Sequence, residues 1–364
     1  YVDTVALEGI AVGSSGAEVS VEKLRFNWRT LRGITSALPG TGGVIRTKLE
    51  DFKVTEIPSY FPCGSGSFLY ALVEKKGLNT KDLIQYLVKF GVPAKEVGVA
   101  GRKDKNAITK QWLSVPDNNE DALTGLNELT GVRILEMTKH RNKLKVGHLA
   151  GNHFEIRVRH PVDRWIDIVY ENIAYIKKHG LPNYYGPQRF GRYGDNAVNG
   201  FNLLFGDLTL GDRSLSRYFI NSLQSQVFNC ILKRRIDLGV FDAVVSGDRA
   251  QKHDTGGMFV IRQGLEEINR AENLDISAVI PMHGKNVKIS EGRAGEIETE
   301  IFNDLGFRED VFSKVSGSRR ISRIRLGEVS IIPKPDGYVA SFFLPKGGFG
   351  TCLIRELTKR DDVF

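Results

Sequence analysis

The chain has 364 residues, 41% hydrophobic and 26% charged, the balance of an ordinary globular protein with one large domain or two. Lys and Arg outnumber Asp and Glu by 51 to 43, a net charge of +8 that favours a polyanionic partner such as RNA. No apolar run approaches the roughly 18 residues of a membrane helix, and Cys63, Cys230 and Cys352 lie too far apart for a CxxC-type zinc site or a disulfide framework. These features predict a protein without membrane or metal in a reducing compartment: the cytoplasm, or an organelle after removal of a transit peptide.

Residues 1–43, interrupted by GSSG and PGTGG, read as a partly ordered lead-in with a short basic segment, KLRFNWRTLRG. From Val44 the pattern is strand-like: VIRTKLEDFKVTEI ends in the alternation Phe52, Val54, Glu56, and SFLYALVEKKG repeats it before a glycine stop. Thr80 reads as the N-cap of an amphipathic helix in which Leu83, Ile84, Leu87 and Val88 recur until Gly91 and Pro93. HFEIRVRH sets Phe154, Ile156 and Val158 on one face of a strand and Glu155, Arg157 and Arg159 on the other. DRWIDIVYENIAYIKKHG predicts a helix with Ile166, Val169, Ile173 and Ile176 inward and Gly180 closing it. A longer helix is expected over 214–237, with apolar Leu215, Tyr218, Phe219, Val227, Ile231 and Leu232. RIRLGEVSIIP and YVASFFLP then read as two strands joined by KPDG, followed by a helix from about Thr351. Strands and helices intermix without a regular βα repeat, which predicts an α+β fold.

Within VGVAGRKDKNAITKQWLSV, one acid, Asp104, stands among Arg102, Lys103, Lys105 and Lys110. Taken alone, such an acid is ordinarily a solvated turn residue. A carboxyl of ordinary pKa about 3.9, kept ionised by neighbouring cations, also suits a nucleophile or base, and Lys103 and Lys105 suit phosphates. In LPNYYGPQRFGRYGDN, Gln188, Arg189 and Arg192 interleave with aromatics, a pattern that either stacks bases and grips phosphates or closes a tight loop over a core edge. Asn152 and Phe154 fall on one side of their strand, where Phe is more often core than base platform. Arg355 sits on the final helix, where an exposed arginine is the default. The runs KHRNKLK (139–145) and RRISRIR (319–325) are RNA-facing or merely solvated. HExxH, G-x-S-x-G, Walker and dinucleotide fingerprints do not occur, so no cofactor is implied.

In order along the chain, EDFKVTEI, GLNTKDL, VAGRKDKNAITKQWLS, GNHFEI, PNYYGPQRFG, LQSQVFN, the GD at 247–248 and FFLPKGGFGTCLIREL resemble the TruD family of tRNA pseudouridine synthases. The resemblance spans about residues 44–357, and its AGxKDxxAxTxQ and NYxGxQRFG patterns are highly specific. It implies a pseudouridine-synthase fold with a curved, largely antiparallel sheet and a mixed α/β insertion. The catalytic domain would comprise 44–195 and 323–364, the insertion 196–322. It implies a cofactor-free isomerase acting on uridine 13 of tRNA, with no obligatory protein partner; the alternative is a non-catalytic RNA-binding or RNA-folding protein on the same scaffold. By the same resemblance Asp104 matches the catalytic aspartate, Phe154 the aromatic that stacks on the target base, Asn152 its neighbour in the pocket, and Arg355 the basic partner of the carboxylate. Arg46 stands where bacterial members carry lysine, and Gly350 where alanine is usual.

Overall fold

The structure, a computed structural model, describes residues 21–103, 105–262 and 264–361. In chain order its elements are α1 (Val21–Leu24), β1 (Phe52–Pro58), β2 (Phe68–Lys76), α2 (Thr80–Lys89), β3 (Gly98–Val99), β4 (Ile108–Pro116), α3 (Glu120–Thr124), β5 (Val132–His140) and β6 (Leu149–Arg159). After these come α4 (Trp165–His179), β7 (Leu181–Pro182), α5 (Asn196–Phe205), α6 (Arg213–Asp237), β8 (Arg249–Lys252), β9 (Met258–Val260), α7 (Leu265–Glu272) and β10 (Ile276–Met282). The last are α8 (Gly292–Leu305), β11 (Ser318–Ile321), β12 (Arg323–Ile324), β13 (Val329–Lys334), β14 (Gly337–Pro345) and α9 (Gly350–Thr358).

Two compact units emerge. One draws its described residues from 39–173, 326–350 and 357–364, the other from 1–38, 174–325 and 351–356. Their changeovers, at 173/174 and 325/326, leave the NYYGPQRFG segment packed with the region expected as an insertion. Side-chain amides explain this: Asn183 Nδ2 donates to Ile321 O (2.9 Å), and Asn229 grips the backbone of Tyr185 at both its N–H (2.9 Å) and its carbonyl (3.0 Å).

The first unit is built on a mixed sheet of order β13-β14-β6-β1-β4-β2-β5, with β3 on β4. Only β1 and β4 pair in parallel among these strands, so the expected largely antiparallel α+β architecture holds. On β2 and β4, Leu69, Ala71, Val73, Leu113 and Val115 bury one face against Leu83 and Leu87 of α2 and against Leu123 and Leu126. The cap of α2 is Asn79 rather than Thr80: Asn79 Oδ1 accepts from Asp82 N–H (3.1 Å), and Asp82 Oδ2 accepts from Asn79 N–H (2.8 Å), a reciprocal capping box. On β6, Phe154, Ile156 and Val158 are buried, while on the other face Arg159 Nη2 pairs with Asp51 Oδ1 at 2.7 Å. In α4, Val169, Ile173 and Ile176 are buried as expected, but Ile166, in the first turn, is 48% exposed.

The second unit packs α6 against α5, α8 and a sheet of order β11-β10-β8-β9. Val227, Ile231 and Leu232 are buried here, whereas Leu215 is exposed. From Val21 the lead-in is better packed than its composition suggests: Leu24, Trp28 and Leu31 are buried, and Phe26 stacks on Phe190 with ring centroids 4.3 Å apart. Residues 1–20 lie outside the described residues.

Candidate active site

Period-two alternation on β1 turns Phe52, Val54 and Glu56 inward. An inward acid needs a partner, because burying an unpaired carboxylate costs several kcal/mol (roughly). Asn152 on β6 lies directly across from Glu56, and Lys103 supplies the charge. Its Nζ lies 2.7 Å from Glu56 Oε2 and 2.8 Å from Asn152 Oδ1, with the Lys and Glu side chains only 5% and 1% exposed. Glu56 Oε1 also accepts from Trp112 N–H (3.2 Å). At its other end Lys103 N–H donates to Thr80 Oγ1 (2.9 Å), and the Thr80 hydroxyl donates to Gln111 Oε1 (2.9 Å).

Lys103 is thus clamped from β1, β6 and α2, with β4 bracing two of those partners, Glu56 and Thr80, and the clamp sits one residue ahead of Asp104. That residue itself lies outside the described residues. The sequence reading of Lys103 as a phosphate holder is corrected: a buried ammonium already shared between a carboxylate and an amide is not presented to RNA. Lys105 and Arg102 are exposed.

One row along the sheet, Phe154 pairs with Val54 on β1 and Phe342 on β14. Its ring is buried, stacks on Phe342 (centroids 5.4 Å, 20°) and meets Phe52 edge-on (6.4 Å, 82°). Gly350, at the start of α9, fits against the same ring: a Cβ there would lie 2.8 Å from Phe154 Cδ1. The Arg46 guanidinium caps Phe52 at 4.2 Å, and Arg46 holds a left-handed backbone, φ 58°, which costs a non-glycine residue about 1–3 kcal/mol. Arg46, Phe52, Phe154 and Phe342 therefore form one run of cation and aromatic faces beside the Lys103 clamp.

The other expected residues belong to the second unit. Gln188 and Arg192 are exposed, Arg192 over the ring of Tyr193 (5.7 Å). Arg189 is half-buried between the rings of Tyr185 (5.1 Å) and Tyr218 (5.8 Å). Tyr184, Tyr185 and Phe190 are buried, so most of this aromatic loop covers core and only Tyr193 stands out. Arg355 donates from Nη2 to the carbonyls of Trp28 (3.0 Å) and Leu31, with its guanidinium 4.9 Å over the Trp28 ring. The GD at 247–248 is a packing motif: Asp248 pairs with buried Arg235 (2.8 Å), and at Gly247, φ 84°, a Cβ would meet Glu291 O at 1.6 Å.

Reading the sequence missed Glu56, Thr80 and Gln111 as positioning groups. The available signal was an acid in an apolar alternation. Among the described residues, no group of three or more His, Cys, Asp or Glu could hold a metal ion, and no helix is long and apolar enough to cross a membrane.

The sequence model of the family described as tRNA pseudouridine synthase D (TruD) matches residues 31–211 and 208–357. A tRNA pseudouridine synthase D of Thermus thermophilus is 45% identical over 330 residues, covering 90% of this chain and 91% of that protein. That of Anaeromyxobacter dehalogenans is 39% identical, covering 90% and 95%. A crystal structure of a putative tRNA pseudouridine synthase D from Methanosarcina mazei shares the fold, with a TM-score of 0.69 at 22% identity over 93% of this chain and 97% of that one. The chain belongs to the TruD family of tRNA pseudouridine synthases, which makes it an isomerase.

Proposed function

We propose that this chain isomerises uridine 13 of tRNA to pseudouridine in the cytoplasm, without cofactor or obligatory protein partner. Asp104 would be the catalytic carboxylate, residues 44–195 and 323–364 the catalytic domain, and 196–322 the insertion. The observation that carries the reading is the clamp on Lys103, which restrains the residue immediately before Asp104 through both its side chain and its backbone. Such restraint is what a reacting carboxylate needs, since misplacement by about 1 Å costs on the order of a hundredfold in rate.

The target uridine must leave its stack, at a cost of a few kcal/mol (roughly), and stacking on an aromatic such as Phe154 returns about 1–3 kcal/mol. Asn152 would then meet the uracil edge or the ribose. Asp104 either attacks ribose C1′ or uracil C6, or takes the 2′ proton to give a glycal. Each route breaks the N1–C1′ bond. The uracil turns in the pocket, C5 bonds to C1′, and the C5 proton is lost while N1 gains one, so the reaction is balanced without oxidant or water. Arg355 would be the basic partner of the carboxylate, Arg46 would line the pocket, and Lys105, Gln188, Arg189 and Arg192 would hold RNA. The apolar faces of Phe52, Phe154 and Phe342 suit a pocket that keeps water from an open intermediate.

Release of tritium from tRNA labelled at uridine C5, with pseudouridine mapped afterwards, tests this. Wild-type protein is expected to release label from position 13, and Asp104→Asn to bind the tRNA without releasing it. Undiminished release by Asp104→Asn would overturn the role of the aspartate; pseudouridine at another position would overturn the target.

A further inference from the structure

The segment leading from the end of β5 across to β6, KHRNKLKVGH over 139–148, and the loop ahead of β2, SYFPCGSGS over 59–67, contain no acid. They are laced into one surface. Gly64 N–H donates to Lys139 O (2.9 Å), Cys63 N–H to His140 Nδ1 (3.2 Å), and the Tyr60 hydroxyl meets His148 Nδ1 at 2.7 Å. Tyr60 stacks on His140 (centroids 5.2 Å, 26°), and the Tyr70 hydroxyl donates to Asn142 O (2.8 Å).

Outside this braced base stand Phe61, 76% exposed, and Val146, 81% exposed; Lys145 is exposed next to Val146, and exposed Arg141 follows His140, its backbone 2.5 Å from where a Cβ on Gly66 would lie. The surface is tied to the loop that carries the candidate catalytic residue. Gly147 N–H donates to Ala100 O (2.8 Å) and Leu144 N–H to Ser114 Oγ (3.0 Å), and the chain runs from Ala100 to exposed Arg102 and Lys105. An exposed aromatic on a rigid mount, in two segments that carry bases and no acid of their own, with Asp117 reaching only Lys139 (3.5 Å), is chemistry for an unpaired polynucleotide: the cations take phosphates and the ring takes a base, whatever its identity.

We propose that this face binds single-stranded nucleotides of the RNA substrate flanking the target uridine, with Arg141 and Lys145 on phosphates and Phe61 stacked on a base. The proposal rests on the reading that RNA is the substrate. Its test uses the full chain and unmodified substrate tRNA, with binding measured across a salt series and tritium release measured on the same preparations.

The double variant R141E/K145E is expected to bind at least about tenfold more weakly near 0.1 M salt. The slope of log K against log salt should shrink by about 1.4, from roughly 0.7 per lost single-strand phosphate contact. Phe61→Ala is expected to weaken binding about fivefold to a hundredfold with the slope unchanged, and Phe61→Trp to restore it. Lys89→Glu, a charge reversal at the end of α2, should leave affinity unchanged. Wild-type affinity in both R141E/K145E and Phe61→Ala would overturn the proposal and leave the face to a protein partner; so would an equal loss in Lys89→Glu, or rescue of Phe61→Ala affinity by Leu as fully as by Trp. A wild-type protein that binds tRNA but forms no pseudouridine would defeat the proposed function alone, since the binding measurements decide this surface separately.

Discussion

Glu56 and Lys103 carry opposite charges in a place with almost no solvent, so neither is expendable while the other remains. Replacing one partner of such a pair leaves an uncompensated charge and costs about 3–5 kcal/mol, whereas removing both together is far cheaper. Glu56→Gln and Lys103→Met are therefore expected each to destabilise the fold by several kcal/mol (roughly, by the same principle), and the double variant by clearly less than their sum. Denaturant unfolding of the four proteins measures this, and strict additivity would show that the ion pair is not coupled. Turnover should fall in the double variant even where stability recovers, because the side chain at position 103, next to Asp104, is no longer held by the ion pair and Asn152. Asn152 faces the same pair, its Oδ1 accepting from the ammonium (2.8 Å), which fixes the orientation of the amide.

At the scale of elements, α9 meets β6 through the absence of a side chain. A methyl at Gly350 would press on Phe154 Cδ1, Cε1 and Cγ at 2.8, 3.0 and 3.1 Å, and overpacking of this kind costs about 1–3 kcal/mol. Gly350→Ala should accordingly lower the melting temperature and alter turnover together, since the same ring lies in the candidate pocket; an unchanged melt would mean that α9 shifts freely. Alternation made β1, β6 and β14 legible from sequence, because each of these strands buries chiefly one face; β2 was legible although Tyr70 is buried opposite Leu69, Ala71 and Val73. The helix α6 was legible in extent but not in its buried face, where Ser222, Gln224, Ser225, Gln226, Asn229 and Arg235 are all enclosed. Several of these polar groups are held by distant partners, as when Gln224 Nε2 donates to His283 O (2.7 Å) and Asn229 to Tyr185 O (3.0 Å), and hydropathy cannot register a partner. Tyr184 and Tyr185 are buried, the core-edge alternative for their loop, which sequence left open because composition does not tell a stacked base from a packed core. Asp104 was visible as a lone acid among bases and took its role from the resemblance, while Glu56 was hidden among the apolar residues whose spacing it shares.

Across the whole molecule, the two units answer acid differently. In the second, burial first, and then the charges of Arg323 and Arg325, push His253 down to about 4 from 6.5, while its Nε2 meets Ser277 Oγ at 2.7 Å. The unfolded chain takes up that proton near 6.5 and the folded one does not, so this stability is full above 6.5 and drains as pH falls towards 4. In the first unit, burial would raise Asp51, but hydrogen bonds from Arg159 and Lys48 and the charges of Arg159 and Arg157 outweigh it and hold the carboxyl below 3.8. Asp336 is held low by Arg157 and then Arg159. Their contribution is present above 3.8 and is lost only as pH falls through the lowered values. Hydrogen exchange followed from about pH 7 downwards should show protection within 174–325 weakening first; simultaneous loss in both units would contradict these assignments.

The order of the central sheet also sets a schedule for biosynthesis. Arg159 on β6 pairs with Gly337 on β14, so the whole of 174–325 must be translated before that edge is closed. At roughly 5 to 20 residues per second the wait is on the order of ten to thirty-five seconds. Throughout it the nascent chain carries an open strand edge with Phe154 and Ile156 beside it, the kind of template on which chains aggregate. This architecture therefore asks for a cover over that edge until β14 emerges, such as a chaperone at the ribosome, a demand set by chain order and not by the finished fold.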